Sequence, residues 1–179
     1  MRVLRGAAAL LVIAAAGGAL YVFCVLPYRC NVVKKARLSS TKFAFEQAQT
    51  PSGRLVARRN IDAFAPCMNA LCRDVSLDML AAANDRVLGR PDEAIGLYFD
   101  ALRRDVRPEI YVSLAESELA LGNRKAAGEH ALRATLFNVA MLADIDDGLL
   151  RDETASALIA LHPEKTNEIH FFQTYIRQP

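Results

Sequence analysis

The sequence lacks the residue clusters from which enzymes build active sites. Its three histidines, His130, His162 and His170, are scattered among helix and turn positions, and no nucleophile motif accompanies them. It also contains no glycine-rich phosphate loop. No second Cys/His pair accompanies Cys67 and Cys72, so the sequence offers no zinc site. We therefore expect a protein that is not an enzyme, has no catalytic residues and binds no cofactor.

Charge of one sign and flexible linkers are also scarce. The net charge of +2 gives the whole chain no strong attraction to nucleic acid, so we expect no nucleic-acid partner. No Gly-rich or Ser-rich segment divides the chain, which favours one folded domain. Lysine is rare, with 5 lysines against 17 arginines, a composition typical of GC-rich genomes and hence of bacteria.

One acidic segment only partly resembles a calcium loop. In the stretch 144–148, Asp144 and Asp146 alternate as calcium ligands do, but Gly148 comes one position early. The twelfth position of the loop would be Ala155, which has no carboxylate to bind the ion. The sequence therefore predicts a solvated acidic loop and no metal site.

A long uncharged run lies near the N-terminus. Ala7–Leu26 comprises 20 residues without a charge, and Pro27 follows it. As a helix it would extend about 30 Å, the thickness of the hydrocarbon core of a bilayer. The alternative is a cleaved signal peptide cut after Ala19, but the apolar region of such peptides is usually about 7 to 15 residues long. We predict a single-pass transmembrane anchor over residues 1–28, so the lipid bilayer is an expected partner.

The charges that flank this run bear on its orientation. Two arginines precede the run, and five cations follow it: Arg29, Lys34, Lys35, Arg37 and Lys42. The count favours a cytoplasmic C-terminal side, yet a long domain can be translocated largely regardless of its charge. We expect an extracytoplasmic, periplasmic domain over 53–179, with 29–52 forming a basic stalk that can also contact anionic headgroups.

The four cysteines leave several pairings open. Cys24 lies in the predicted anchor, and Cys30, just beyond it, is either unpaired or bonded between two chains. Cys67 and Cys72 are too far apart to bond within one helix, but a disulfide between them is feasible across a helix end. The alternative is that both are reduced in a cytosolic protein. A disulfide would indicate an oxidising compartment.

Two segments align on each other with a spacing of 33 residues. The first, Leu88–Leu102, reads LGRPDEAIGLYFDAL, and the second, Leu121–Thr135, reads LGNRKAAGEHALRAT. Identical residues stand at four pairs of positions: Leu88 and Leu121, Gly89 and Gly122, Ala94 and Ala127, Ala101 and Ala134. A turn glycine followed by small residues at this period is typical of stacked helical hairpins.

This pattern resembles the tetratricopeptide repeat family, with repeats at about 76–106 and 109–139. The resemblance implies an all-α fold, in which the anchor is followed by an α-solenoid of stacked hairpins. Flanking helices around 53–69, 149–161 and 168–176 would cap the array. The first copy departs from the family pattern, because Asp78 stands where a large aromatic residue is usual.

The same resemblance implies a binding groove. In this family the first helix of each repeat lines the concave face, where a partner's helix or extended peptide lies. The corresponding residues are Ser76, Met79, Ala83, Arg86, Glu109, Val112, Glu116 and Leu119. Met79 and Ala83 stand where a lysine and an asparagine would grip a terminal carboxylate, so a chaperone-tail receptor is not expected.

Three functions follow from these features. The first is a membrane-anchored scaffold or adaptor that binds an as yet unidentified protein partner, in bacterial envelope assembly. The second is a permanent accessory subunit of a larger membrane complex, whose small-residue stretch Ala14–Ala19 packs against other spans. The third and weakest is a thiol–disulfide redox protein that uses Cys67 and Cys72.

Overall fold

The computed structural model describes residues 13–68 and 72–174, and every regular element within them is helical. The α-helices are α1 Ile13–Glu46, α2 Pro51–Phe64, α3 Val75–Val87, α4 Pro91–Leu102, α5 Pro108–Ala120, α6 Arg124–Phe137, α7 Gly148–Leu161 and α8 Thr166–Thr174. Short 3₁₀ segments occupy Ala65–Cys67, Val139–Asp144 and Pro163–Lys165. The predicted all-α class is confirmed for the described residues.

Helix α1 is the element that includes the predicted membrane span. It has 34 residues and, by length and composition, is long and apolar enough to cross a membrane. A signal sequence meets the same criterion, so this finding alone does not distinguish the two. The first six residues of the predicted span Ala7–Leu26 lie outside the described part of the chain. Over Tyr21–Val25 the helix widens into a π-helical turn before it continues towards the domain.

The C-terminal half of α1 forms part of the folded domain. Leu26–Glu46 packs against both α2 and α3, and Cys30, Thr41 and Ala44 are buried in these contacts. The structure therefore differs from the predicted division, in which 29–52 was a separate basic stalk. The three buried residues lie on one face of the helix. Lys34 lies on the same face and is largely shielded, whereas Lys35 and Lys42 are exposed on the others.

A buried polar cluster fixes the register of α1 against α2 and α3. The side-chain amide of Asn84 donates to Thr41 Oγ1 at 3.0 Å, and that of Asn60 donates to Asn84 Oδ1 at 3.0 Å. The Ser40 hydroxyl donates to Asn60 Oδ1 at 2.9 Å. Both asparagines are fully buried, a depth at which polar groups are normally hydrogen-bonded. These hydrogen bonds thus fix the positions of α1, α2 and α3 relative to one another.

Local sequence signals set the helix boundaries. The carboxylates of Asp74 and Asp147 accept hydrogen bonds from backbone amides three residues further on, and so cap α3 and α7. Pro51, Pro91 and Pro108 each occupy the first position of a helix, where the missing N–H costs no hydrogen bond. Three-residue turns join α3 to α4 and α5 to α6, and the helices of each pair pack against each other.

The flanking helices predicted from the sequence are present. The stretch 53–68 corresponds to α2 and the short 3₁₀ turn after it, whereas residue 69 lies outside the described part. The stretch 149–161 corresponds to α7. The stretch 168–176 corresponds to α8, although the residues after Thr174 lie outside the described part. Helix α7 packs on α6, and α8 packs on α7 and on the segment Val139–Asp144.

Candidate partner-binding groove

Two matching turns position the helices beside the candidate groove. Gly89 follows α3 with φ +74°, and Gly122 follows α5 with φ +79°. Glycine adopts this left-handed conformation without the steric penalty that a Cβ brings. In both turns the glycine amide bonds to the carbonyl three residues back, and the next amide bonds to the carbonyl five residues back. The aligned glycines of the sequence therefore perform the same structural role.

Small residues lie where the paired helices meet. Ala94 and Ala101 on α4, and Ala127 and Ala134 on α6, have no exposed surface. Larger side chains at these closely packed positions would push the helices apart. The alignment of the two segments thus correctly placed four core residues.

Two polar residues at repeat positions are satisfied locally. The Glu118 carboxylate accepts a hydrogen bond from the Asn123 amide at 2.8 Å, just after the second turn. Asp78, the residue in place of the usual aromatic, is fully buried and pairs with Arg73 at 2.5 Å and Arg104 at 3.3 Å. The buried Asp78 carboxylate is therefore neutralised by two arginines.

Five of the eight predicted groove residues line a single cleft of about 360 Å³. They are Ala83 and Arg86 on α3, and Glu109, Val112 and Glu116 on α5. The rest of the lining consists of Phe45 of α1, Tyr98, Ser113, Asp144 and Asp146. The first helices of the two hairpins thus form a shared concave surface, and we refer to this cleft as the groove.

The remaining three predicted residues lie elsewhere. Ser76 and Met79 line a second cleft, in which α3 faces α1 rather than α5. Leu119 is partly buried against the core cluster of Ala115 and Ala127. The groove is therefore shorter than predicted, because α1 packs along the first turns of α3.

An ion pair joins the two sides of the groove. Arg86 Nη1 lies 2.6 Å from Glu116 Oε2, and the guanidinium lies over the Phe45 ring at 5.3 Å from its centroid. Tyr98, almost fully buried, hydrogen-bonds to both Arg86 and Ser113. Side chains from α1, α4 and α5 thus converge on Arg86 of α3.

Burial and neighbouring carboxylates set the protonation behaviour of this pair. Burial raises the pKa of Glu116, Arg86 opposes the increase, and Asp146 and Asp144 add to it. Burial also raises the pKa of the Tyr98 phenol, against the influence of Arg86. Arg86 is therefore the neighbouring cation that stabilises the ionised form of the Glu116 carboxylate.

The acidic rim of the groove had not been expected. The sequence indicated that Asp144 and Asp146 belong to a solvated loop, yet both line the groove. Phe45 was missed because it falls in the predicted stalk, and no pattern in the sequence pairs it with Arg86. The 3₁₀ segment Val139–Asp144 after α6 brings the two aspartates to this position.

The cysteines pair differently from the prediction. Cys30 forms a disulfide with Cys67, with their Cα atoms 5.5 Å apart, so the expected bond between Cys67 and Cys72 is not formed. Cys72 is buried in the same hydrophobic cluster, together with Phe64 and Leu77. The disulfide therefore joins α1 to the end of α2, whereas the sequence had left Cys30 either unpaired or bonded between two chains.

The histidines remain apart from one another. His130 is largely buried and stacks on Tyr111 with ring centroids 6.1 Å apart, while His162 and His170 hydrogen-bond to neighbouring surface residues. Across 13–68 and 72–174, no three His, Cys, Asp or Glu residues are grouped so as to hold a metal ion. The groove is thus the concave site that gathers most of the predicted residues.

The chain matches no protein-family model, no curated protein and no solved structure.

Proposed function

We propose that the chain is a membrane-anchored scaffold for protein–protein interaction, with paired helices that resemble tetratricopeptide repeats. The groove binds a short segment of a partner protein, and the apolar part of α1 holds the domain at a membrane. The protein acts without catalysis, and bacterial envelope assembly is the process that we propose for it. The domain lies on the extracytoplasmic side.

The observation that carries this proposal is the Arg86–Glu116 ion pair. It joins the two helices that the repeat pattern aligns, and the residues beside it line one concave surface. A short concave surface between helices suits an extended peptide or a helical segment of another protein. A larger groove is unnecessary, because a membrane anchor raises the local concentration of partners in the same membrane.

The chemistry of the groove indicates which segments it would prefer. Ala83 and Val112 provide apolar contact, whereas Glu109, Asp144 and Asp146 place carboxylates around it. The positive charge of Arg86 is already engaged by Glu116, so the exposed Glu109 and Asp146 give the groove a surplus of negative charge. A partner segment with a lysine or arginine beside an apolar residue complements this surface.

The disulfide supports the extracytoplasmic placement. Disulfides persist in oxidising compartments and are rare in the cytosol. Cys30 and Cys67 are 2% and 3% exposed, so a substrate thiol has no direct access to either sulfur. This burial favours a structural bond over the redox function considered above.

Site-specific crosslinking tests the groove. A photoreactive residue at Ala83, on the groove surface, should give a discrete adduct with one partner in cells. The same residue at Glu129, which is exposed on α6, serves as the control. Glu109→Arg should abolish the Ala83 adduct by reversing charge at the groove, while Glu129→Arg should leave it unchanged. Identical adducts from both positions, or no effect of Glu109→Arg, would contradict the proposal.

A permanent accessory subunit is the second candidate, and the N-terminal part of α1 favours it. At Gly17 and Gly18 an added Cβ would meet no atom within 4 Å, so this face is open for another span. In that case a complex purified in mild detergent survives Glu109→Arg but is lost with Gly17→Leu/Gly18→Leu. The scaffold proposal predicts the reverse pattern.

The anchor itself is tested by carbonate extraction of membranes. A retained transmembrane helix keeps the protein in the pellet, and the mature N-terminus precedes the apolar run. A mature N-terminus close to Leu20 would instead identify a cleaved signal peptide. A reporter enzyme fused after Pro179 gives the orientation, with extracytoplasmic activity as the expected result.

A further inference from the structure

We infer that the cleft between α1 and the start of α3 binds the headgroup of an anionic phospholipid. This inference rests on the membrane-anchoring part of the proposed function and is independent of the partner groove. The cleft has a volume of about 360 Å³ and lies on the part of α1 that directly follows the apolar run.

The charge of this part of α1 is one-sided. Residues 27–45 include five cations and no aspartate or glutamate. The structure divides these cations into two kinds. Lys34 pairs with Asp74, and Lys42 lies 3.6 Å from Glu46, so both are engaged within the protein.

Arg29, Lys35 and Arg37 are of the other kind. Arg29 and Lys35 are exposed, Arg37 is half-buried, and none of the three forms an ion pair with a carboxylate among residues 13–68 and 72–174. Cations left without partners beside an apolar helix complement the negative phosphates at a membrane surface. Lys35 lines the cleft itself, whereas Arg29 lies outside its lining and adds positive charge closer to the apolar run.

The distances along α1 place these cations at the bilayer surface. With a rise of about 1.5 Å per residue, Arg29 lies about 5 Å and Lys35 about 14 Å beyond Leu26. The headgroup layer is about 5 to 8 Å thick on each side of the hydrocarbon core. Arg29 thus lies within this layer, and the long side chain of Lys35 extends back towards it.

The cleft offers suitable contacts for the rest of a headgroup. The exposed Asn31 and Ser76 provide an amide and a hydroxyl on the cleft that Lys35 also lines. Leu38 and Met79 give an apolar wall on the same cleft. Hydrogen-bond donors beside an apolar wall suit a phosphate diester with its glycerol backbone. Ser76 and Met79, which were predicted for the partner groove, would thus contact lipid instead.

Headgroup binding also makes two opposing indications of the orientation of α1 in the membrane compatible. The buried disulfide favours an oxidising compartment, whereas the cations after the span favour a cytoplasmic side. If these cations bind lipid headgroups, their position directly after the span is also consistent with an extracytoplasmic domain.

Lipid titration of the full chain in mild detergent tests the site. Native mass spectrometry counts bound phosphatidylglycerol and bound phosphatidylcholine separately. We expect clear preference for phosphatidylglycerol, which Arg29→Gln/Lys35→Gln weakens by about thirtyfold while phosphatidylcholine binding stays unchanged. Arg29→Lys/Lys35→Arg keeps the charges and should keep the preference.

The matched control is Arg58→Gln/Arg59→Gln, which removes two exposed cations from α2 instead. It should leave phosphatidylglycerol binding unchanged. Equal losses in both double variants, or equal binding of the two lipids, would overturn the inference. Displacement by glycerol phosphate at matching affinity would show a site for soluble phosphate and overturn it too. Carbonate extraction reports separately on the anchor, so an anchored protein without lipid preference refutes only this inference.

Discussion

Cys30 on α1 and Cys67 after α2 are bonded across 37 residues of sequence. The bond ties the helix that contains the apolar run to the helical domain, near the end closest to that run. Together with the packing of Leu26–Glu46 on α2 and α3, it makes the emerging helix and the domain one body. Under the proposed function, this rigid connection would hold a partner bound in the groove at a defined height above the membrane.

Removal of this disulfide should destabilise the domain considerably. For a loop of this length, the chain-entropy model gives a stabilisation of about 4 kcal/mol. We expect Cys30→Ala/Cys67→Ala to lower the free energy of unfolding by about 3 to 4 kcal/mol in denaturant titrations. Cys24→Ala, an exposed cysteine in the apolar part of α1, is the control and should have little effect.

Peptide mass mapping after alkylation in intact cells identifies the bond directly. A Cys30–Cys67 linked peptide is the expected product. A Cys67–Cys72 linked peptide would contradict the observed pairing. Free thiols at Cys30 and Cys67, together with a cytoplasmic reporter signal, would contradict the extracytoplasmic placement.

The repeat region could be predicted from the sequence because its signals are local. Gly89 and Gly122 act through their own backbone conformation, and the aligned alanines act through contacts with an adjacent helix. Spacing of 33 residues was therefore enough to locate two turns and four buried small residues.

The role of α1 could not be predicted, because it depends on contacts between distant residues. Thr41 is buried only because Asn60 and Asn84 meet it, and Cys30 is bonded only because α2 returns beside α1. A segment rich in lysine and arginine gave no sign of these contacts. The position of Phe45 in the groove could not be predicted either, because it also depends on the packing of α1 against the domain.

Helix spacing in the second hairpin should be sensitive to side-chain volume. Ala127 has no exposed surface and packs with Ile145 and Leu150. Ala127→Leu should overpack this contact and cost about 1 to 3 kcal/mol in unfolding free energy. Lys125→Leu introduces the same side chain at an exposed position of α6 and should change stability little. Equal stability of the two variants would contradict the repeat register.

The link between α1 and α3 should weaken in acid. Burial opposes the charge of Asp74, but hydrogen bonds from Lys34 and the Leu77 amide outweigh it, and the pKa is lowered from 3.8. Because the folded state binds the proton less readily, this carboxylate contributes stability above the unfolded pKa. That contribution is lost as the pH falls through the folded pKa.

Asp74→Asn isolates this effect, because asparagine still caps a helix but carries no charge. The variant should be about 0.5 to 1 kcal/mol less stable near neutral pH, the range for a partly exposed ion pair. The difference should shrink progressively below about pH 3.8. Asp62→Asn, on the exposed face of α2, should show neither the loss nor its pH dependence.

The buried amides of Asn60 and Asn84 should behave as one unit. Asn84→Leu removes the acceptor of the hydrogen bond that the buried Asn60 amide donates. The loss of this bond should lower the free energy of unfolding by about 1 to 3 kcal/mol. Asn60→Leu should have a similar effect for the reciprocal reason.

Asn60→Leu/Asn84→Leu removes both amides, so no donor of this pair is left unsatisfied. Residues that share a hydrogen-bond network couple by about 0.5 to 3 kcal/mol, and the double variant should cost less than the two single variants together. Denaturant titration of all four proteins completes the cycle, with Asn167→Leu on the exposed surface of α8 as the control. Additive losses would mean that the two amides act independently, and that the register of α1 is set by apolar packing alone.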